Sequence, residues 1–223
     1  MSTAPPKLLS LVLVPAVISL LVTVLRVVGE LNGWSVTLVG TRRGGGEGGL
    51  LAIVWLIPVF GLWFGLRLQR GGAGGERPGR ALLLGVAAFA LLVAGMAGLT
   101  AAGLIVFPNE EQPTEPRGAP YMLAALVAAT IVSFVAWRRA AFVLLIYAAL
   151  ARLPVIVVTW LAVARGWDTH YGKTAPGFVA PPEGELLVNL LMPQITFWPA
   201  ITVILGTIMA CVGALLAGGA RRG

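Results

Sequence analysis

Residues 119–164 read APYMLAALVAATIVSFVAW, then Arg138-Arg139, then AAFVLLIYAALARLPVIVVTWLAVA. Two apolar runs, Ala119–Trp137 and Ala140–Ala164, thus meet at a doubled arginine, and the only charge inside either is Arg152. A helix needs about 20 mostly apolar residues to cross a hydrocarbon core of roughly 30 Å. Each run is long enough or nearly so. Working outward, four more apolar runs follow the same rule: Leu8–Val28, Leu50–Leu68, Ala81–Phe107 and Leu186–Ala217. The sequence therefore predicts an all-α, polytopic transmembrane helix bundle of six spans, forming a single integral membrane domain over residues 1–223. The tight join at Arg138-Arg139 is the point on which the count turns. If the runs on either side were one broken element, there would be five spans and the C-terminus would change sides.

Composition agrees with the class. Hydrophobic residues make up 58% of the chain and charged residues 11%, with mean hydropathy +0.91. Soluble domains carry about 25% charged residues. The net charge of +7 would suggest nucleic acid in a soluble protein, but here the basic residues flank apolar runs, which assigns them to topology and lipid headgroups. Cys211 is the only cysteine, so neither an intrachain disulfide nor a cysteine-based zinc site is available. The apolar run from Leu8 to Leu25 is longer than a signal-peptide core and reads as the first spanning helix.

The charges are sorted by sign. With the N-terminus placed in the cytoplasm, the inner side holds Lys7, Arg67, Arg70, Arg77, Arg80, Arg138, Arg139, Arg221 and Arg222 against the single acid Glu76. The outer side holds Arg42, Arg43, Arg117, Arg165 and Lys173 against Glu30, Glu47, Glu110, Glu111, Glu115, Asp168, Glu183 and Glu185. Lysine and arginine mark the cytoplasmic side, so both termini are expected there. The Gly/Ala/Arg-rich composition suggests a bacterial cytoplasmic membrane.

Between the runs, the glycine-rich loops Gly40–Gly49 and Gly71–Arg80 lack the Lys-Ser/Thr ending and the strand–helix setting of a phosphate-binding loop, and read as flexible connectors. A faint repeat pairs Trp34, Pro58 and Trp63 with Trp167, Pro193 and Trp198. Both copies would run in the same direction, as parallel repeats in transporters do, although chance also places prolines and interfacial tryptophans this way. Helices in lipid associate through small residues. Ala90, Ala94, Gly98 and Ala102 form one four-residue ladder, and Gly206, Ala210, Ala214 and Gly218 another. Both are expected to pack inside the bundle, unless one faces a partner subunit. Pro58, Pro154, Pro193 and Pro199 fall within spans and are expected to bend them.

Arg152 is the sharpest anomaly. It has about 12 residues to either end of its span, or roughly 18 Å at 1.5 Å per residue, and such a charge faces a bundle interior or polar cavity. Its candidate partners are Gln194, Asn189 and Thr196, or a carbonyl freed by Pro154. That makes it a candidate site for an anion or a headgroup phosphate, with Gln194 and Asn189, or else a structural arginine bonded to carbonyls. Arg26 is expected to pair with Glu30 four residues on while snorkelling outward. The cluster Trp167, Asp168, His170 and Tyr171 contains the only histidine. Asp168 with His170 could act as an acid–base pair, or with Glu183 or Glu185 hold a metal. The plainer reading is an interfacial anchor built on the two aromatics.

These signals favour a non-catalytic accessory or scaffold subunit of a membrane assembly. No cofactor or nucleic acid is expected, and the partners are membrane lipids with other subunits or a second copy. One alternative is a small transporter or lipid- or anion-binding protein centred on Arg152. A second is an interfacial enzyme using Asp168 and His170.

Overall fold

The computed structural model describes residues 8–41, 43–44, 48–75, 77–111, 113–179, 182 and 184–219, and every regular element among them is helical. The helices are α1 (Leu8–Leu31), α2 (Val36–Val39), α3 (Leu56–Arg70), α4 (Pro78–Ala101), α5 (Ala119–Arg165), α6 (Leu186–Ile195) and α7 (Phe197–Gly219), with single 3-10 turns at Ile53–Trp55 and His170–Gly172. Four helical stretches are long and apolar enough to cross a membrane: Leu8–Leu31, Pro78–Ala101, Ala119–Arg165 and Leu186–Gly218. Lys7, Arg42, Glu47, Glu76, Glu183, Arg221 and Arg222, which contribute to the charge sorting, lie outside the described residues.

The two runs at Arg138-Arg139 form one helical element of 47 residues, α5, interrupted at Trp137 (φ −156°, ψ 85°). Straight, it would reach about 70 Å, more than twice a bilayer core. No proline stands at the break. Trp137 is buried there, its indole packed on the backbone of Gly75, while Arg138 and Arg139 are exposed. The arm before the break packs Leu126 and Ala129 against Leu92 of α4 and Ile204 of α7. The arm after it joins Leu144, Tyr147 and Ala151 to Leu11 of α1 and to Phe60 and Phe64 of α3.

The other runs depart from their expected bounds at the ends. The second begins as the Ile53–Trp55 turn, so α3 itself has 15 residues, about 22 Å. The third ends at Ala101, where the chain turns and pairs Val106 with Arg117. Gly118 then starts α5 at φ +85°, where a side chain would run into Leu104 and Ile105. The sixth is divided at Thr196 (φ −115°, ψ −70°) into α6 and α7. Pro199 explains that division: it lacks the N–H that would reach the Ile195 carbonyl, and its ring crowds that carbonyl. Pro58 and Pro199 are both third residues of their helices, α3 and α7, and so mark helix starts rather than bends. Pro15 of α1, Pro154 of α5 and Pro193 of α6 do lie within helices. Pro193, which the repeat would pair with Pro58, lies inside α6, whereas Pro199 shares with Pro58 the third position of its helix.

Helix packing follows small residues, but only one of the two ladders takes part. Gly206, Ala210 and Ala214 are buried, and α7 runs beside α3 in the same direction. A Cβ on Gly61 would stand 2.7 Å from the Gly206 carbonyl oxygen, and one on Gly65 would overlap Ala210. Gly218 has open space around its Cα. The α4 ladder departs from the expected interior position: Ala90, Ala94 and Gly98 lie on the exposed face, and Ala102 lies beyond the helix end. The inward face of α4 is Ala81, Gly85, Ala88 and Leu92.

Candidate functional site: a buried polar cluster

α1 carries Ser19, Thr23, Arg26 and Glu30 at spacings of four, three and four, which places them on one helical face. All four are buried. In a helix this apolar, a polar face is turned inward, because lipid offers its donors and acceptors no partner. Thr23 satisfies its hydroxyl on the Ser19 carbonyl at 2.8 Å, and Ser19 Oγ meets the Tyr147 hydroxyl of α5 at 2.9 Å. Phe60 and Phe64 close on the Tyr147 ring edge-on at 5.4 and 5.7 Å.

The row ends in a three-residue cluster. Arg26 Nε donates to Glu30 Oε1 at 3.0 Å, with Arg26 4% and Glu30 0% exposed. The pair expected from i,i+4 spacing is therefore present, but Arg26 does not snorkel. His170 arrives from 140 positions along the chain and bonds the same carboxylate twice. Its Nδ1 lies 2.5 Å from Glu30 Oε1, and its backbone N–H donates to Oε2 at 2.9 Å. A carboxylate only accepts, so Nδ1 carries the proton. Burial pushes the His170 imidazole below its ordinary 6.5 despite the pull of Glu30, and Arg26 also disfavours a second cation. The cluster is then a neutral set: one guanidinium, one carboxylate and an uncharged imidazole. Arg26 Nη2 and Thr169 Oγ1 remain buried without a hydrogen-bond partner.

This arrangement separates the residues that sequence grouped as a catalytic pair. Asp168 points to the surface, its side chain 68% exposed, and pairs with Lys173, whereas His170 turns inward to Glu30. No group of three or more potential metal-binding His, Cys, Asp or Glu side chains occurs among the described residues. The aromatic-anchor reading also changes for Tyr171, which is buried with its ring centroid 3.8 Å from that of His170. Burial raises the Tyr171 phenol pKa, so it stays protonated.

Arg152 is 6% exposed and approaches the α6–α7 division. Its Nη1 donates to Gln194 Oε1 at 3.2 Å, and its guanidinium carbon lies 4.7 Å from the Trp198 ring centroid. Asn189 and Thr196 each bond a carbonyl of their own chain segment, Glu185 at 3.1 Å and Met192 at 2.7 Å. Tyr171 lies within electrostatic reach of Arg26, Glu30 and Arg152, which links the two parts of the polar interior. Two clefts lie elsewhere. One of ≈ 220 Å³ is lined by Leu8, Leu11, Arg139, Phe142 and Val143, and a more open one of ≈ 550 Å³ includes Arg43, Glu110 and Lys173.

Sequence reasoning missed Ser19, Thr23, Tyr147, Thr169 and Trp198. The first two had a visible signal, since they continue the Arg26–Glu30 face back along α1 at helical spacing. Thr169 sits inside the Trp167–Tyr171 cluster, while Tyr147 and Trp198 come from segments distant in sequence and carry no such signal. The chain matches no family model, no curated protein and no solved structure.

Proposed function

We propose that the chain is an integral membrane protein of six spans with both termini cytoplasmic, in a bacterial cytoplasmic membrane, acting as a non-catalytic accessory or scaffold subunit. The break at Trp137 supports the six-span reading, because it divides an element too long for one crossing at the point where two arginines need water. Together α6 and α7 supply the last crossing, and the Ile53–Trp55 turn lengthens α3.

The subunit role is carried by one observation. The α4 face of Ala90, Ala94 and Gly98 is small-sided and uncovered, whereas the matching face of α7 is closed by Gly61 and Gly65 of α3. Close backbone approach at small residues is what holds helices together in lipid, and on α4 that approach is left to another chain. Native mass spectrometry after gentle extraction tests this reading. A copurifying subunit or homo-oligomer, lost in Ala94→Leu/Gly98→Leu, is the expected result. A protein that runs as a monomer without partners in mild detergent overturns it.

A second reading, an anion-handling or lipid-handling protein, is favoured by Arg152, a buried guanidinium whose hydrogen-bond partner is a neutral amide. Buried membrane arginines mark ligand or ion sites. This reading fails if Arg152→Gln leaves the protein's retained lipids and anion response unchanged.

A further inference from the structure

The division between α6 and α7 falls beside Arg152, and its chemistry is that of an anion site. Phe197 and Trp198 open α7, and their N–H groups reach no carbonyl of another element among the described residues. Pro199 then fixes the helix start. The first turn of a 23-residue helix carries partial positive charge, and divided membrane helices use such ends to hold anionic groups. Gln194, one turn before this start, gives its Oε1 to Arg152, which leaves its NH2 as a donor. Of the five donors of the Arg152 guanidinium, one meets an acceptor among the described residues, and no Arg152 nitrogen is among the fully enclosed unpartnered atoms, so the others stay open to a ligand.

Charge balance gives a second, independent argument. The buried charged side chains among the described residues are Arg26, Glu30 and Arg152. Glu30 is taken by Arg26 and by a neutral His170, so Arg152 is left as an unbalanced positive charge in the interior. An unpaired buried charge is strongly unfavourable, and a ligand of charge −1 removes the imbalance.

We infer that one singly charged anionic group binds at the α6–α7 division, held by Arg152, the Gln194 amide and the first turn of α7, with Trp198 as a wall. This inference rests on the anion-handling reading above and adds the place and the charge of the ligand. The shared chemistry is a monoanion, either the phosphodiester of a lipid or a free small anion.

The test uses the full chain in nanodiscs. In discs of phosphatidylcholine alone, chloride replaces gluconate at constant ionic strength, and thermal unfolding is followed. In parallel, native mass spectrometry counts phosphatidylglycerol retained after exchange into discs that contain it. A chloride-dependent rise in unfolding temperature identifies a free anion, and retained phosphatidylglycerol identifies a headgroup. Either response should fall at least tenfold in apparent affinity in Arg152→Gln and in Gln194→Leu, and persist in Arg139→Gln, an exposed arginine beside the Trp137 break of α5. Gln194→Leu keeps the buried charge, so it carries the test even if Arg152→Gln misfolds. Absence of both responses in the wild-type protein overturns the inference together with the anion-handling reading. Full retention of the response in both Gln194→Leu and Pro199→Ala, whatever Arg152→Gln does, overturns the location alone.

Discussion

Glu30 receives three hydrogen bonds from two elements far apart in sequence, and its removal should be felt at both. Glu30→Gln leaves Arg26 as a buried cation without its counter-charge. Breaking a buried pair at one partner costs about 3–5 kcal/mol, so a large fall in unfolding temperature is expected in a detergent melt. His170 adds a pH dependence of defined sign. Its folded pKa lies below the ordinary 6.5, so the unfolded chain binds the proton more readily. Stability from this group is therefore complete above about pH 6.5 and declines as pH falls below it, by about 1.4 kcal/mol per unit of pKa difference. Melts between pH 8 and 5 should show the decline in the wild-type protein and a reduced decline in His170→Asn. A stability that rises on acidification would show that His170 is held as a cation. At this scale the sequence was half legible. Spacing alone revealed Arg26 with Glu30, while the third member came from a loop whose path no local pattern encodes.

Among the elements, the two small-residue ladders show how far pattern reaches. Four-residue spacing marks a face able to pack closely, but both ladders have it and only one is covered. What decides between them is the opposite surface: α3 offers Gly61 and Gly65 to α7, and no helix among the described residues covers the α4 face. That complementary pair was present in the sequence and is the signal that could have separated the two. Gly65→Leu should prevent α3 and α7 from closing, because even a Cβ there overlaps Ala210; loss of a cooperative melt is the expected readout. Gly98→Leu, with open space at its Cα, should leave the melt of the isolated chain within about 0.5 kcal/mol, as surface substitutions do. Equal damage from both would mean that α4 packs inward through its ladder. Proline was read less well than glycine. A proline in an apolar run suggests a bend, yet Pro58 and Pro199 start helices, and α5 breaks at Trp137 without one. The buried indole there is a tertiary effect that sequence periodicity does not register.

For the molecule as a whole, apolar length identified the class, and the helical architecture follows from it: every backbone group in lipid must be bonded within its own segment. The number of crossings depends on α3, which is short, and on the divided α5. Single cysteines report on it directly, since the native Cys211 is buried. Under the six-span arrangement, cysteines at Gly72 and Arg138 react with a membrane-impermeant thiol reagent only after the cytoplasmic face is opened, and one at Thr174 reacts in intact cells. Labelling of positions 72 and 174 from the same side would refute that arrangement.

The Glu30–His170 contact also sets a timetable. The two residues are 140 positions apart, and ribosomes add about 5–20 residues per second, so roughly 7–28 s separate their synthesis. Through that interval α1 is already made, with its Arg26–Glu30 pair and its Ser19–Thr23 face lacking the partners that later enclose them. The first helix is thus a poor tenant of lipid until His170, about three quarters of the way along the sequence, has been made, and its safe residence in the meantime falls to the insertion machinery.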